Sequence, residues 1–248
     1  MRWYGCMYLL GFLSAWFLGR YRVSKKAIFT RLQFDDVLTF GILGVILGAR
    51  LGYVLFYQPL YYLENPLQIL QLWHGGMSFH GGLLGVLLAQ WLAGRRYGRT
   101  FFETMDFMAP LVPPGLFFGR IGNFINGELW GKVTDAPWGM VFPGAGDLPR
   151  HPSQLYEAAL EGLLLFTLVW CYSAKPRPTM AVSGLFAVGY GVFRCFAEFF
   201  RQPDAHLGYL AFGFVTMGMI LCLPLILAGC LFLFFAYRRA PVSDSASR

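Results

Sequence analysis

The sequence predicts an all-α polytopic membrane protein, and three observations predict it. Of 248 residues, 56% are hydrophobic and 13% charged, against about 25% charged in an ordinary soluble domain. The apolar residues fall into seven runs near spanning length, for which about 17–25 residues are needed. The basic residues gather in alternate loops, as the positive-inside rule requires. The net charge of +7 therefore belongs to loop clusters and not to one polar face, which argues against nucleic acid as a partner.

The runs are expected at 3–19, 37–57, 77–93, 107–125, 155–172, 180–200 and 209–237. No small-residue cleavage site follows the first, so it reads as a retained helix and not a signal peptide. The fourth spans only if Arg120 and Asn123 are buried in it. The last holds Pro224, which predicts a tilt or a kink. Arg20, Arg22, Lys25, Lys26 and Arg31 lie between runs one and two. Arg95, Arg96 and Arg99 follow run three, Lys175 and Arg177 follow run five, and Arg238 and Arg239 follow run seven. The loop between runs two and three has no Lys or Arg. Seven helices with the N-terminus outside and the C-terminus cytoplasmic satisfy every loop. Removing the fourth would put Arg238 and Arg239 outside, so the charges argue that it spans. The outer loops are then 58–76, 126–154 and 201–208. Residues 1–240 read as one membrane domain and 241–248 as a disordered cytoplasmic tail. No internal repeat is visible, which weighs against a repeat-built transporter. The five cysteines stand singly in or beside apolar runs and read as packing residues, without metal or redox spacing.

Charged side chains at the centre of a membrane helix cost about 2.5–3.5 kcal/mol on insertion scales, so they need partners or a wet cavity. Four groups qualify. FFGRIGNFINGELWG, residues 117–131, puts Arg120, Asn123 and Gly127 on one helix face. Its glycines admit a second backbone or a head group. The helix is expected to end near Asn126, with Glu128 on a turn. The plainer reading is packing glycines with a snorkelling arginine. HGGMSFHGG, residues 74–82, holds His74 in a loop, where a solvated residue is the plain reading. His80 opens the third run, where an ordinary imidazole pKa near 6.5 suits a general base. No second ligand lies at helical metal-site spacing.

YGVFRCFAEFFRQPD, residues 190–204, repeats Tyr190, Arg194, Glu198 and Arg201 along one helix face. This is either a salt-bridged stripe or a pair of arginines held ready for an anion, with Glu198 setting their geometry. RHPSQLYE, residues 150–157, enters the fifth run. Ser153 as a helix cap is as good a reading there as a substrate role for His151. The nucleophile elbow, the HExxH zinc motif and the nucleotide phosphate loop are all missing. What remains is an outer-leaflet cavity with several arginines and one histidine, suited to an anionic lipid head group.

GRIGNFINGELWG resembles the signature of the prolipoprotein diacylglyceryl transferases. The match runs through Gly119, Arg120, Gly122, Asn123, Phe124, Asn126, Glu128 and Gly131. WYG at 3–5, GARLGYVLFY at 48–57, GGMSFHGG at 75–82, RHPSQLYE and FFRQPDA at 199–205 resemble the same family, in order along nearly the whole chain. The resemblance implies a multi-pass enzyme of the bacterial inner membrane, with a seven-helix body and a small periplasmic head. It implies transfer of the diacylglyceryl group of phosphatidylglycerol to the lipobox cysteine thiol of a preprolipoprotein. A thioether forms and glycerol phosphate leaves, with no cofactor and no metal.

The resemblance marks Tyr4, His80, Arg120, Asn123, Glu128, Gly131, Tyr190 and Arg194. In the expected mechanism His80 takes the thiol proton and Arg120 and Arg194 bind the phosphate. Asn123, Glu128 and Tyr190 orient them, and Asn126, Glu198 and Arg201 support. The competing classes are a lipid flippase or anion carrier using the same arginines, and a structural membrane subunit. Two features depart from the family. Only Met1 and Arg2 precede WYG, where an N-terminal arm is usual, and Met219 stands where glutamine is common.

Overall fold

The structure is a computed structural model that describes residues 2–203, 208–210 and 212–239; the side chains of Arg2, Tyr4, His74 and Arg239 are not among the described features. The expected tail at 241–248 and much of the loop at 201–208 thus lie outside the described residues. All regular structure among them is helical, joined only by isolated β-bridges. Three helical elements are long and apolar enough to cross a membrane: Arg31–Phe56, Ser153–Ala174 and Met217–Arg238.

The chain forms two compact units. One comprises the stretch up to Leu18 and the chain from Asp106 onward, and the other comprises Gly19–Met105. Helix α1 (Arg2–Lys25) contributes to both. In the second unit, α2 (Arg31–Phe56) begins six residues before the expected run. Thr30 and Gln33 form a capping box that satisfies the first-turn N–H groups and extends the helix past its apolar core. After α3 (Pro59–Glu64) and two short 3₁₀ turns comes α4 (Phe79–Arg96), capped by Ser78, and then α5 (Phe101–Met108).

Helices α2 and α4 pack antiparallel through glycine. A Cβ on Gly48 would lie 2.4 Å from the Gly81 carbonyl oxygen, and one on Gly85 would lie 2.1 Å from that of Gly44. No side chain fits between the backbones there. Gly81, which follows His80, therefore serves this approach.

In the first unit the expected run at 107–125 is broken. The 3₁₀ turn Ala109–Leu111 separates α5 from α6 (Pro113–Ile125). Pro110, Pro113 and Pro114 lack the N–H groups a continuous helix needs, and Pro113 and Pro114 fit the first helical positions of α6. The run at 155–172 becomes α7 (Ser153–Glu157), a π-helical segment Ala158–Leu164, and α8 (Leu165–Ala174). α6 presses into the π segment, where a Cβ on Gly162 would stand 2.6 Å from the Phe117 Cβ.

Helix α9 (Ala181–Glu198) starts where Asp106 accepts the Met180 and Ser183 backbone N–H groups at 2.7 and 2.8 Å. It packs antiparallel to α10 (Met217–Arg239), Gly184 lying against Gly229. Ala109, Leu165, Val169 and Val182 form a buried cluster, and Tyr190 and Phe193 pack against it. This core joins the 3₁₀ turn Ala109–Leu111, α8 and α9.

Candidate functional site

The sequence placed Arg120 and Arg194 on two apolar segments, and the first unit brings them onto the same carboxylate. Glu157 and Glu161 are fully buried. Arg194 Nη1 donates to Glu157 Oε1 at 2.5 Å, and Arg120 Nε lies 2.8 Å from Glu157 Oε2. Glu161 bridges the same two arginines, at 3.3 Å from Arg120 Nη2 and 3.6 Å from Arg194 Nη1. Arg194 Nη2 also donates to Glu198 Oε1. Arg201 Nη1 lies 3.6 Å from that same oxygen. The Thr216 hydroxyl donates to the other oxygen of Glu198 at 2.8 Å. Three arginines thus meet three glutamates across α6, α7, the π segment and α9.

The balance of sign explains how these charges tolerate burial. An isolated buried ion costs several kcal/mol, and a partner must restore most of that. Glu157 and Glu161 lie four residues apart inside an apolar helical element, a signal that membrane-depth carboxylates need cations. In the sequence Glu157 stands out only as the last residue of RHPSQLYE, and no motif marks Glu161. The α9 stripe is salt-bridged, with Glu198 between Arg194 and Arg201.

The end of α6 forms the adjoining part. The helix stops at Ile125, and Gly127, at φ +64°, turns the chain back. Glu128 follows on the turn, as expected. Asn123 Nδ2 and Asn126 Nδ2 both donate to Glu128 Oε1, at 3.0 and 3.3 Å. Gln154 Nε2 donates to the Glu128 carbonyl at 2.7 Å. Asn123 is buried, whereas Asn126 and Glu128 are exposed. The amides thereby fix one carboxylate just beyond the C-terminal end of the helix that carries Arg120.

Gly131 has a plain steric reason. A Cβ there would lie 2.5 Å from the His151 carbonyl oxygen and 2.6 Å from that of Phe200. Its own N–H donates to His151 O at 2.9 Å, and Lys132 N–H donates to Phe200 O at 2.9 Å. Gly131 therefore ties the RHPSQLYE segment to the end of α9. Ser153 is the first residue of α7 and not its cap; its hydroxyl donates to Leu129 O at 3.0 Å. His151 contacts the Tyr156 hydroxyl at 3.1 Å, and both rings pack on Phe200.

Tyr190 stacks on Phe186 one turn before Arg194. Met219 is buried and its N–H donates to the Thr216 hydroxyl at 3.3 Å. His80 belongs to the second unit, exposed on the first turn of α4. Tyr4 lies in α1, with its side chain outside the described features. Among the described residues no cluster of His, Cys, Asp and Glu suits a metal ion.

Comparison with known proteins bears on this arrangement. The family model for prolipoprotein diacylglyceryl transferase matches residues 1–235. Three relatives carry the name phosphatidylglycerol–prolipoprotein diacylglyceryl transferase. The protein from Oleidesulfovibrio alaskensis is 64% identical over 96% of this chain and 90% of its own. That from Nitrosomonas europaea is 59% identical over 100% and 90%. That from Pseudomonas aeruginosa is 56% identical over 100% and 93%.

Proposed function

The chain belongs to the prolipoprotein diacylglyceryl transferase family, and from that premise we propose how its residues carry the transfer. The enzyme is a transferase of lipoprotein maturation, acting on phosphatidylglycerol and a prolipoprotein. The acceptor is the lipobox cysteine. Its sulfur attacks as the thiolate, because a free thiol with pKa near 8.5 is a poor nucleophile at neutral pH. The new C–S bond replaces the C–O bond between the diacylglyceryl carbon and the phosphate. The leaving oxygen keeps the electron pair, and glycerol phosphate departs. His80 accepts the thiol proton.

Arg120 and Arg194 bind the phosphate and stabilise charge on the leaving oxygen. The observation that carries this is the shared carboxylate. Glu157 and Glu161 hold two guanidinium groups side by side in a buried place while leaving donors over. Arg120 Nη1 and Arg194 Nε take no part in those ion pairs. Preset donors in a dry site need little reorganisation when charge develops. Asn123, Glu128 and Tyr190 orient the head group, with Asn126, Glu198 and Arg201 in support.

We also propose seven membrane crossings, with the N-terminus outside and the site facing the outer leaflet of a bacterial inner membrane. The alternating loop charges support this reading.

The test is lipidation of a lipobox peptide in membranes containing labelled phosphatidylglycerol, read as a thioether-linked mass increase. Arg120→Ala and Arg194→Ala should each lower kcat by about 10²–10³, the loss typical of one charge-stabilising donor. Near-normal transfer by both variants would sink the phosphate role. Lipid movement without the mass increase would indicate a carrier. Full activity in a folded His80→Asn variant would require another base.

A further inference from the structure

Arg50, near the end of α2, is 3% exposed and has no carboxylate partner among the described residues. A buried arginine is rarely left so. Its five N–H donors are taken up instead by five backbone carbonyls. Nε donates to Ile69 O at 2.8 Å. Nη1 donates to Gly75 O at 2.5 Å and Gly76 O at 3.1 Å. Nη2 donates to Gln68 O at 2.6 Å and Gln71 O at 3.3 Å. The Tyr62 ring lies 5.2 Å from Cζ. A cavity of about 210 Å³ opens against the same guanidinium.

The loop has little else to hold it. Leu60, Leu63, Leu67 and Leu70 are each more than 70% exposed, and Tyr62 is the one buried residue of α3. Arg50 supplies the segment with a centre. The chain is then tied to the same turn of α2 a second time. Ser78 N–H donates to Ala49 O at 2.9 Å, and the Ser78 hydroxyl caps α4 by accepting the Gly81 N–H at 3.2 Å. Gly48 and Gly52 meet the Gly81 backbone. His80 sits between these anchors. Residues 48–52 of α2 thus fix both the approach to α4 and its first turn.

We propose that Arg50 is a positioning residue for the transfer, clamping Gln68–Gly76 so that α4 starts with His80 set to receive the thiol proton. The inference rests on the assignment of His80 as the base. Lysine cannot replace the clamp, because a three-donor ammonium does not match five carbonyls around a planar fork.

The experiment compares the full-length enzyme with Arg50→Lys, Gly76→Ala, His80→Asn and the two double variants with His80→Asn, in phosphatidylglycerol-containing vesicles. Gly76 adopts φ +77°, and a Cβ there would stand 2.6 Å from the Tyr53 ring and 2.9 Å from Arg50 Nη1, so Gly76→Ala displaces the loop from both and loosens the clamp from the loop side. Arg50→Lys and Gly76→Ala should each lower kcat by about ten- to a hundredfold, as a small misplacement of a reacting group does. KM for phosphatidylglycerol should stay within about twofold. Amide exchange should accelerate in 68–76 and not in α2. Each double variant should be no slower than His80→Asn alone, the non-additivity expected of residues acting through one another. Multiplicative losses, or a wild-type kcat in both single variants, overturn the positioning role alone. A fully active His80→Asn overturns the base assignment and this inference with it.

Discussion

At the residue scale, the carboxylate of Glu157 decides most about the site. It contacts Arg120 with one oxygen and Arg194 with the other. Removing it would leave two buried guanidinium groups on Glu161 and Glu198 alone. Breaking a buried pair by deleting one partner costs about 3–5 kcal/mol. Glu157→Ala should lower the thermal unfolding midpoint in detergent markedly, whereas replacing the exposed Glu64 should not. An unchanged midpoint for Glu157→Ala would mean that the network contributes nothing to stability. Neighbouring residues read differently from sequence and from structure. Gly131 looks like a binding residue in a motif, yet two carbonyl oxygens explain why it must be glycine. Arg50 looks like one more basic residue, yet it organises nine residues of loop.

At the element scale, helix ends and breaks are set by local chemistry. Prolines divide the expected fourth run, and a capping box lengthens the second. A second box starts α5, where Thr100 N–H and its hydroxyl each donate to Glu103 Oε2 at 2.8 Å. The Thr100 backbone N–H bond comes first among the causes that hold the Glu103 carboxyl below its usual pKa. A carboxylate with a lowered folded pKa adds stability above its unfolded value, near 4.3. That contribution is lost as pH falls through the folded value. Amide exchange in the first turn of α5 should therefore accelerate on acidification below about pH 4. Glu103→Gln should remove this acid dependence, and Thr100→Ala should cost about 1 kcal/mol at neutral pH. A first turn whose protection ignores pH would refute the role of the carboxylate.

At the scale of the whole molecule, the prediction concerns topology. Three elements meet the length and hydropathy of a span by themselves. Seven crossings follow only when loop charge is added. A cysteine at position 147, in the proposed outer loop, should react with an impermeant maleimide in intact cells, and one at 175 should not. Asp147 and Lys175 are both exposed, so access tests sidedness and not burial. The reverse labelling pattern would invert the proposed orientation.

The sequence by itself determined the helical class, the apolar segments, the end of α6 near Asn126 and the pairing of Arg194 with Glu198 along one face. These are local properties, carried by composition, periodicity and spacing within a single element. It also carried the family signature. The tertiary structure alone decided which carboxylates meet Arg120, since Glu157 lies 37 residues away along the chain on another helix. It likewise decided that Arg50 finds carbonyls and, among the described residues, no acid, and that Gly131 lies between two backbones. The reason is physical: charge compensation at depth and contact between backbones depend on which elements pack together, and spacing along one helix does not encode that.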